Sequence, residues 1–315
     1  MKQLSNQLLE ELVEDSLPYA SEGEVRPVIP FYDATKKDIL GVTIWTGEES
    51  FHAGDQNMYV PMQSTAKIVT LMLALNDFGK DRVFEMVGME PMGDFFNSIS
   101  QLEKHNIDKP FNPMVNAGAI ATSALIKGGN VEERFERYMQ FMKRITGNPD
   151  LEMSEDVYKA EQANGARNRS LAYFMQSTGA MIMDPEEALD LYFRTNAVMM
   201  CTDDFARVGY FLANGGREPE TNKRLIPPDH LRTVKSIMLT SGMYNSSGQF
   251  AVEAGFPLKS GVSGTIIGAV PGRMGIGIVA PAIDNKGNST AGGALVKSLS
   301  ETLNLNMFGV TDSEL

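Results

Sequence analysis

Ser64-Thr65-Ala66-Lys67 sets a hydroxyl and a primary amine three residues apart, on one face of any helix that contains both. The run that follows, Ile68-Val69-Thr70-Leu71-Met72-Leu73-Ala74-Leu75, is apolar nearly all the way round, which predicts a buried helix. A lysine in the first turn of such a helix is costly when charged, and desolvation lowers its pKa. A neutral amine within reach of a hydroxyl is a general base beside a nucleophile. The tetrapeptide alone carries no weight, because 21 serines and 15 lysines in 315 residues give about one such match by chance. The same residues also suit a plainer arrangement, in which Ser64 caps the helix and Lys67 lays its stem over apolar surface with its amine in water.

Other chemistries have less support. His52, His105 and His230 lie far apart, with none at metal-ligand spacing from another. Cys201 is the only cysteine, which excludes an internal disulfide and a cysteine-rich zinc site and points to a reducing compartment. There is no GxxxxGK[ST] loop, and the glycines of Gly272 to Gly277 have the wrong intervals for a dinucleotide turn. A second element bears on the serine. Lys259-Ser260-Gly261 opens the strand pattern Val262 to Val270, and an SxxK helix followed by a strand beginning K[ST]G is the layout of the serine acyl-enzymes related to β-lactamases and penicillin-binding proteins. Lys259 near Lys67 would disfavour a second positive charge and help keep Lys67 neutral.

The elements that must position these residues are legible in the periodicity. Leu4 to Leu17 reads as an amphipathic helix, and Asp38 to Thr46 with Ser50 to Gly54 as a β-hairpin. Helical patterns cover Asn116 to Lys127, Val131 to Ile145, Ser170 to Ser177, Pro185 to Val198, Asp203 to Asn214 and Pro228 to Leu239. Strands return at Gly261 to Val270 and Met274 to Ala280, and a helix from Gly292 to Leu303 closes the pattern. Strands at both ends with helices between them imply an α+β fold: one antiparallel sheet built from the N- and C-terminal strands, flanked by helices, with an all-helical lobe inserted. The expectation is a single domain over 1–315, its α/β lobe about 1–62 and 245–315 and its helical lobe about 63–244, with a cleft between them as the site.

Composition narrows the partners. A formal charge of −12 and the absence of any basic run argue against nucleic acid and against an anionic membrane surface. With 43% apolar residues the chain can bury a large core, and no stretch reaches the roughly 18 apolar residues of a bilayer span. The expectation is a soluble, cytoplasmic protein.

Beyond these readings, the sequence resembles the serine-dependent glutaminases from about Ile29 to Ser289. The resemblance rests on Gln63 to Lys67, Asn112 to Ile120, Gly165 to Asn168, Ala213 to Gly216, Ser241 to Gly248 and Lys259 to Gly264, in shared order and spacing. It implies a β-lactamase-like fold and hydrolysis of L-glutamine to L-glutamate and ammonia, with no metal or organic cofactor, in a homodimer or homotetramer. By the same resemblance Ser64 is the nucleophile, Lys67 its base, and Tyr244 the partner in proton transfer. The backbone N–H groups of Ser64 and Val262 form the oxyanion hole, with Lys259, Ser260 and Gly261 in support. Glu161 binds the substrate ammonium, and Gln63, Asn116, Asn168, Tyr192, Tyr244 and Val262 line the substrate pocket. Taken singly, Asn116 and Asn168 could each cap a helix, Glu161 could be solvated, and Tyr192 and Tyr244 could be packing residues. One departure stands out: many relatives carry a tyrosine where this chain has Val28, so Tyr32 or a water replaces its hydroxyl, or affinity is weaker. Another serine amidohydrolase or esterase and a non-catalytic amino-acid binder are the alternatives; the anion at Glu161 speaks against the first, and a base beside a hydroxyl against the second.

Overall fold

The computed structural model describes residues 3–27, 29–30, 32–93, 97–98 and 109–309; Val28 and His105 lie outside the described residues. The strands are β1 (Glu24–Val25), β2 (Gly41–Trp45), β3 (Ser50–Gly54), β4 (Val60–Pro61), β5 (Met199–Met200), β6 (Leu258–Gly261), β7 (Thr265–Val270), β8 (Met274–Val279) and β9 (Ala282–Ile283). The α-helices are α1 (Asn6–Ser16), α2 (Ala66–Met86), α3 (Asn116–Ser123), α4 (Val131–Thr146), α5 (Glu155–Ala163), α6 (Ala166–Ser177), α7 (Pro185–Asn196), α8 (Thr202–Ala213), α9 (Pro228–Ser241), α10 (Ser247–Glu253) and α11 (Thr290–Leu303).

The central sheet is antiparallel in the order β3-β2-β8-β7-β6, so its strands come from the two ends of the chain as the pattern predicts. Period two divides its residues between two cores. Val42, Ile44, Ile266, Ile276 and Ile278 face α1 and α11 and pack with Leu9, Leu12, Leu295 and Leu299. The opposite face, with Ile267, Ala269 and Val279, joins the core around α2. Gly275 and Gly277 of β8 let α8 lie directly on that face, since a Cβ at either would sit about 2 Å from the α8 backbone, 2.0 Å from Ala206 O and 2.1 Å from Thr202 O. Helix α8 therefore forms a layer on the sheet, although it falls inside the stretch 63–244 that the sequence reading assigns to the helical lobe.

Three local expectations change. The strand read as continuous from Gly261 to Val270 is a hairpin: β6 ends at Gly261, β7 begins at its partner Thr265, and Val262 lies in the turn between them. Gly264 makes this turn possible with φ +79°, and its N–H donates to Gly261 O at 2.9 Å. The helix expected to open at Ser64 begins instead as a 3₁₀ turn, Gln63–Thr65, before α2 proper. Two short helices, α5 and α10, carry too few periodic apolar positions to announce themselves.

Candidate active site

Every residue from Ala66 to Leu75 is buried, so α2 carries Lys67 into the core with 1% of its surface exposed. That excludes the arrangement with the amine in water. Nor does Ser64 cap the helix, because neither the 3₁₀ turn nor α2 has a side-chain capping bond. The Lys67 amine donates to Met114 O at 3.1 Å and to Asn116 Oδ1 at 2.7 Å. Burial brings its pKa down to about 7, against a smaller upward pull from Glu161. Deprotonated, the amine has two N–H groups, matched by those two acceptors, and a lone pair left to accept a proton.

Lys259 is also fully buried, and its pKa is lowered first by desolvation and then by Lys67. The two buried amines lie within each other's field and each disfavours the other's charge, with burial the larger cause for both. The Lys259 amine lies 4.7 Å from the centroid of the Tyr244 ring and donates to Ser260 O.

Tyr244 opens a 3₁₀ turn after α9, and burial pushes the pKa of its hydroxyl up against a smaller downward pull from the nearby Ser64 side chain. The turn is pinned from several sides. The Met243 N–H donates to Ser247 Oγ, which donates to Tyr244 O, and Ser260 N–H donates to Gly242 O. Gln63 and Tyr244 both sit at positive φ, 48° and 50°. Such a conformation costs a non-glycine residue about 1–3 kcal/mol and persists only where its surroundings over-determine it. Here it holds the residue before Ser64 and the tyrosine whose hydroxyl feels Ser64 in one crevice.

The end of β6 lies against the 3₁₀ turn because Gly261 has no side chain: a Cβ there would stand 2.4 Å from Thr265 Oγ1 and 3.1 Å from Met62 O. Neither the Ser64 nor the Val262 N–H has a protein acceptor among the described residues, which leaves two donors at the start of a helix and of a turn. Tyr32 donates its one O–H to Ser263 O at 2.7 Å, so it buttresses this turn from behind.

The remaining polar residues form two linked groups. Asn116, at the first position of α3, takes the Lys67 amine on Oδ1 and donates through Nδ2 to Asn168 Oδ1 at 3.0 Å. Neither asparagine is a cap. Glu161 of α5 receives Gln63 Nε2 on Oε1 and Asn196 Nδ2 on Oε2, both at 3.1 Å. Burial raises the Glu161 pKa, and these bonds with the field of Lys67 oppose the rise. Tyr192 is buried in α7, close enough to feel both Glu161 and Tyr244, and its pKa is raised mainly by burial. The sequence reading did not single out Asn196 or the Met114 carbonyl. Asn196 had a signal: an asparagine one turn after Tyr192 on the apolar face of α7. The carbonyl had none, because any residue supplies one.

Gln63, Ser64, Lys67, Asn116, Glu161, Asn168, Tyr192, Tyr244, Lys259 and Val262 come from five α-helices, one strand and three turns, and their order along the chain is that of a known family, whose profile matches residues 23–308. The chain belongs to the glutaminase family. This glutaminase is 48% identical over 302 residues to glutaminase 2 of Clostridium perfringens, covering 95% of this chain and 99% of that one. Its fold matches a Bacillus glutaminase crystallised in 4.3 M NaCl with a TM-score of 0.89 and 36% identity, over 96% and 99% of the two chains. It also matches the Bacillus subtilis glutaminase in its covalent complex with 5-oxo-L-norleucine, formed by reaction with 6-diazo-5-oxo-L-norleucine, with a TM-score of 0.85 and 33% identity over 96% and 99%. The α+β fold is therefore that of the family. No helix among the described residues is long and apolar enough to cross a membrane.

Proposed function

We propose that this glutaminase hydrolyses the side-chain amide of L-glutamine through a glutamyl ester on Ser64. Ser64 Oγ attacks the carboxamide carbon while Lys67 takes its proton. The oxyanion that forms is held by the N–H groups of Ser64 and Val262. The C–N bond then breaks, ammonia leaves with a proton returned through Lys67 and Tyr244, and water hydrolyses the ester to glutamate and free Ser64. Glu161 takes the α-ammonium, and Asn116, Asn168, Tyr192 and Gln63 fix the rest of the amino acid. The observation that carries this reading is the buried Lys67 amine, brought to about 7 beside the Ser64 turn, since a half-neutral lysine near neutral pH is a working base.

The substrate class is tested by ammonia release from L-glutamine, L-asparagine and Nα-acetyl-L-glutamine. Free glutamine is expected to dominate, because an α-ammonium is what the buried Glu161 anion selects; an equal rate on Nα-acetyl-L-glutamine, which has no α-ammonium, would exclude the assigned role of Glu161.

Gly261→Ala tests the oxyanion hole. The added Cβ must push the hairpin from the 3₁₀ turn and misplace the Val262 N–H. A fall in kcat of about 10² to 10³ is expected, as for loss of one oxyanion donor, with the enzyme still folded by circular dichroism. Unchanged kcat would remove Val262 from the reading.

A further inference from the structure

We propose that Asn196 is a positioning residue for substrate binding, holding Glu161 as the oriented anion that receives the α-ammonium. The inference rests on the reading of Glu161 above and adds a residue to it. Asn196 is the last residue of α7, 3% exposed, and donates Nδ2 to Glu161 Oε2 at 3.1 Å. Because Gln63 Nε2 holds Oε1 at the same distance, each carboxylate oxygen has one neutral amide donor. Two amides from opposite sides, one on the turn before α2 and one at the end of α7, clamp the carboxylate plane.

The clamp answers a physical difficulty. A carboxylate in this crevice is disfavoured by desolvation, which raises its pKa and favours the neutral acid that cannot attract an ammonium. A cationic partner from the protein would neutralise the site before substrate arrives. Neutral amide donors stabilise the anion without competing for it. Of the interactions that oppose the rise, the bond from Asn196 ranks first, ahead of Gln63 and of the Lys67 field. The other groups facing Glu161 are Lys67 on α2 and Tyr192 on α7.

The test compares Asn196→Ala, Asn196→Leu and Glu161→Gln with the parent enzyme, measuring KM and kcat for glutamine between pH 6 and 9. Leucine keeps the branched shape and heavy-atom count of asparagine while removing the amide, so it separates the donor from the loss of packing that alanine brings and serves if the alanine variant fails to fold. The expected result is a KM raised about tenfold in both Asn196 variants, as for loss of a hydrogen bond to a charged group, with kcat within about twofold. The sign of the pH effect follows from the anion: with a donor lost, the Glu161 pKa rises further, so the loss of affinity on acidification begins at higher pH than in the parent. Glu161→Gln should raise KM at every pH. Asn196→Leu with parental KM and pH profile, while Glu161→Gln binds poorly, overturns the role of Asn196 and leaves that of Glu161. Parental KM in Glu161→Gln overturns both. A proportional fall in kcat with KM and its profile unmoved marks Asn196 as structural and also overturns the proposal.

Discussion

Ser64→Ala is expected to lose about 10⁴ to 10⁶ of the glutaminase rate, the scale on which removing a nucleophile from a cooperating set acts. The hydroxyl neither caps the helix nor supports the backbone, so the fold should survive its removal. Two readouts keep chemistry apart from folding. Thermal unfolding should stay within a few degrees of the parent, while ammonia release falls to background. Incubation with 6-diazo-5-oxo-L-norleucine should add a mass to the peptide containing Ser64 in the parent chain and none in the variant. Activity retained in Ser64→Ala, or an adduct elsewhere, would remove the ester from the mechanism.

The second large effect belongs to Lys67, and it has a pH signature. Only the neutral amine is a base, so kcat/KM should hold level above about pH 7 and fall about tenfold per pH unit below it, as the amine brought to about 7 becomes protonated. Tyr244, pushed up by burial, keeps its proton throughout this range. Lys67→Ala should be nearly inactive at all pH values and less stable as well. It strands Met114 O and Asn116 Oδ1, buried acceptors whose loss of a donor costs roughly 1–3 kcal/mol each. Lys67→Arg should not recover the rate, because a guanidinium cannot be deprotonated here. An arginine variant with parental activity, or a wild-type profile flat from pH 5 to 9, would exclude Lys67 as the base.

Much of this enzyme is visible in its residue pattern. The apolar run after Ser64 dictates a buried helix, but whether Lys67 is buried with it or reaches water was left to the structure, which holds the residue at 1% exposure. Alternation at both chain ends dictates the sheet, and the ordered blocks from Gln63 to Gly264 identify the family. Backbone detail was less legible. A strand pattern cannot show that Gly264 turns the chain at positive φ and so places Val262 in a turn, because glycine suits a strand bend and a turn equally. Nor can it show that α8 belongs to the sheet, which depends on Gly275 and Gly277 standing side by side with the helix axis.

What sequence alone determined, then, is the set of groups available for chemistry, since hydrophobic period and residue type act locally and are written in the chain. Tertiary structure decided their states and partners. That Lys67 and Lys259 are buried within each other's field, that Asn116 hands the amine a buried acceptor, and that Asn196 grips Glu161 are consequences of distance and desolvation between residues tens to hundreds of positions apart. Electrostatic interaction inside a protein depends on separation and on the water excluded, and neither quantity exists until the chain has packed.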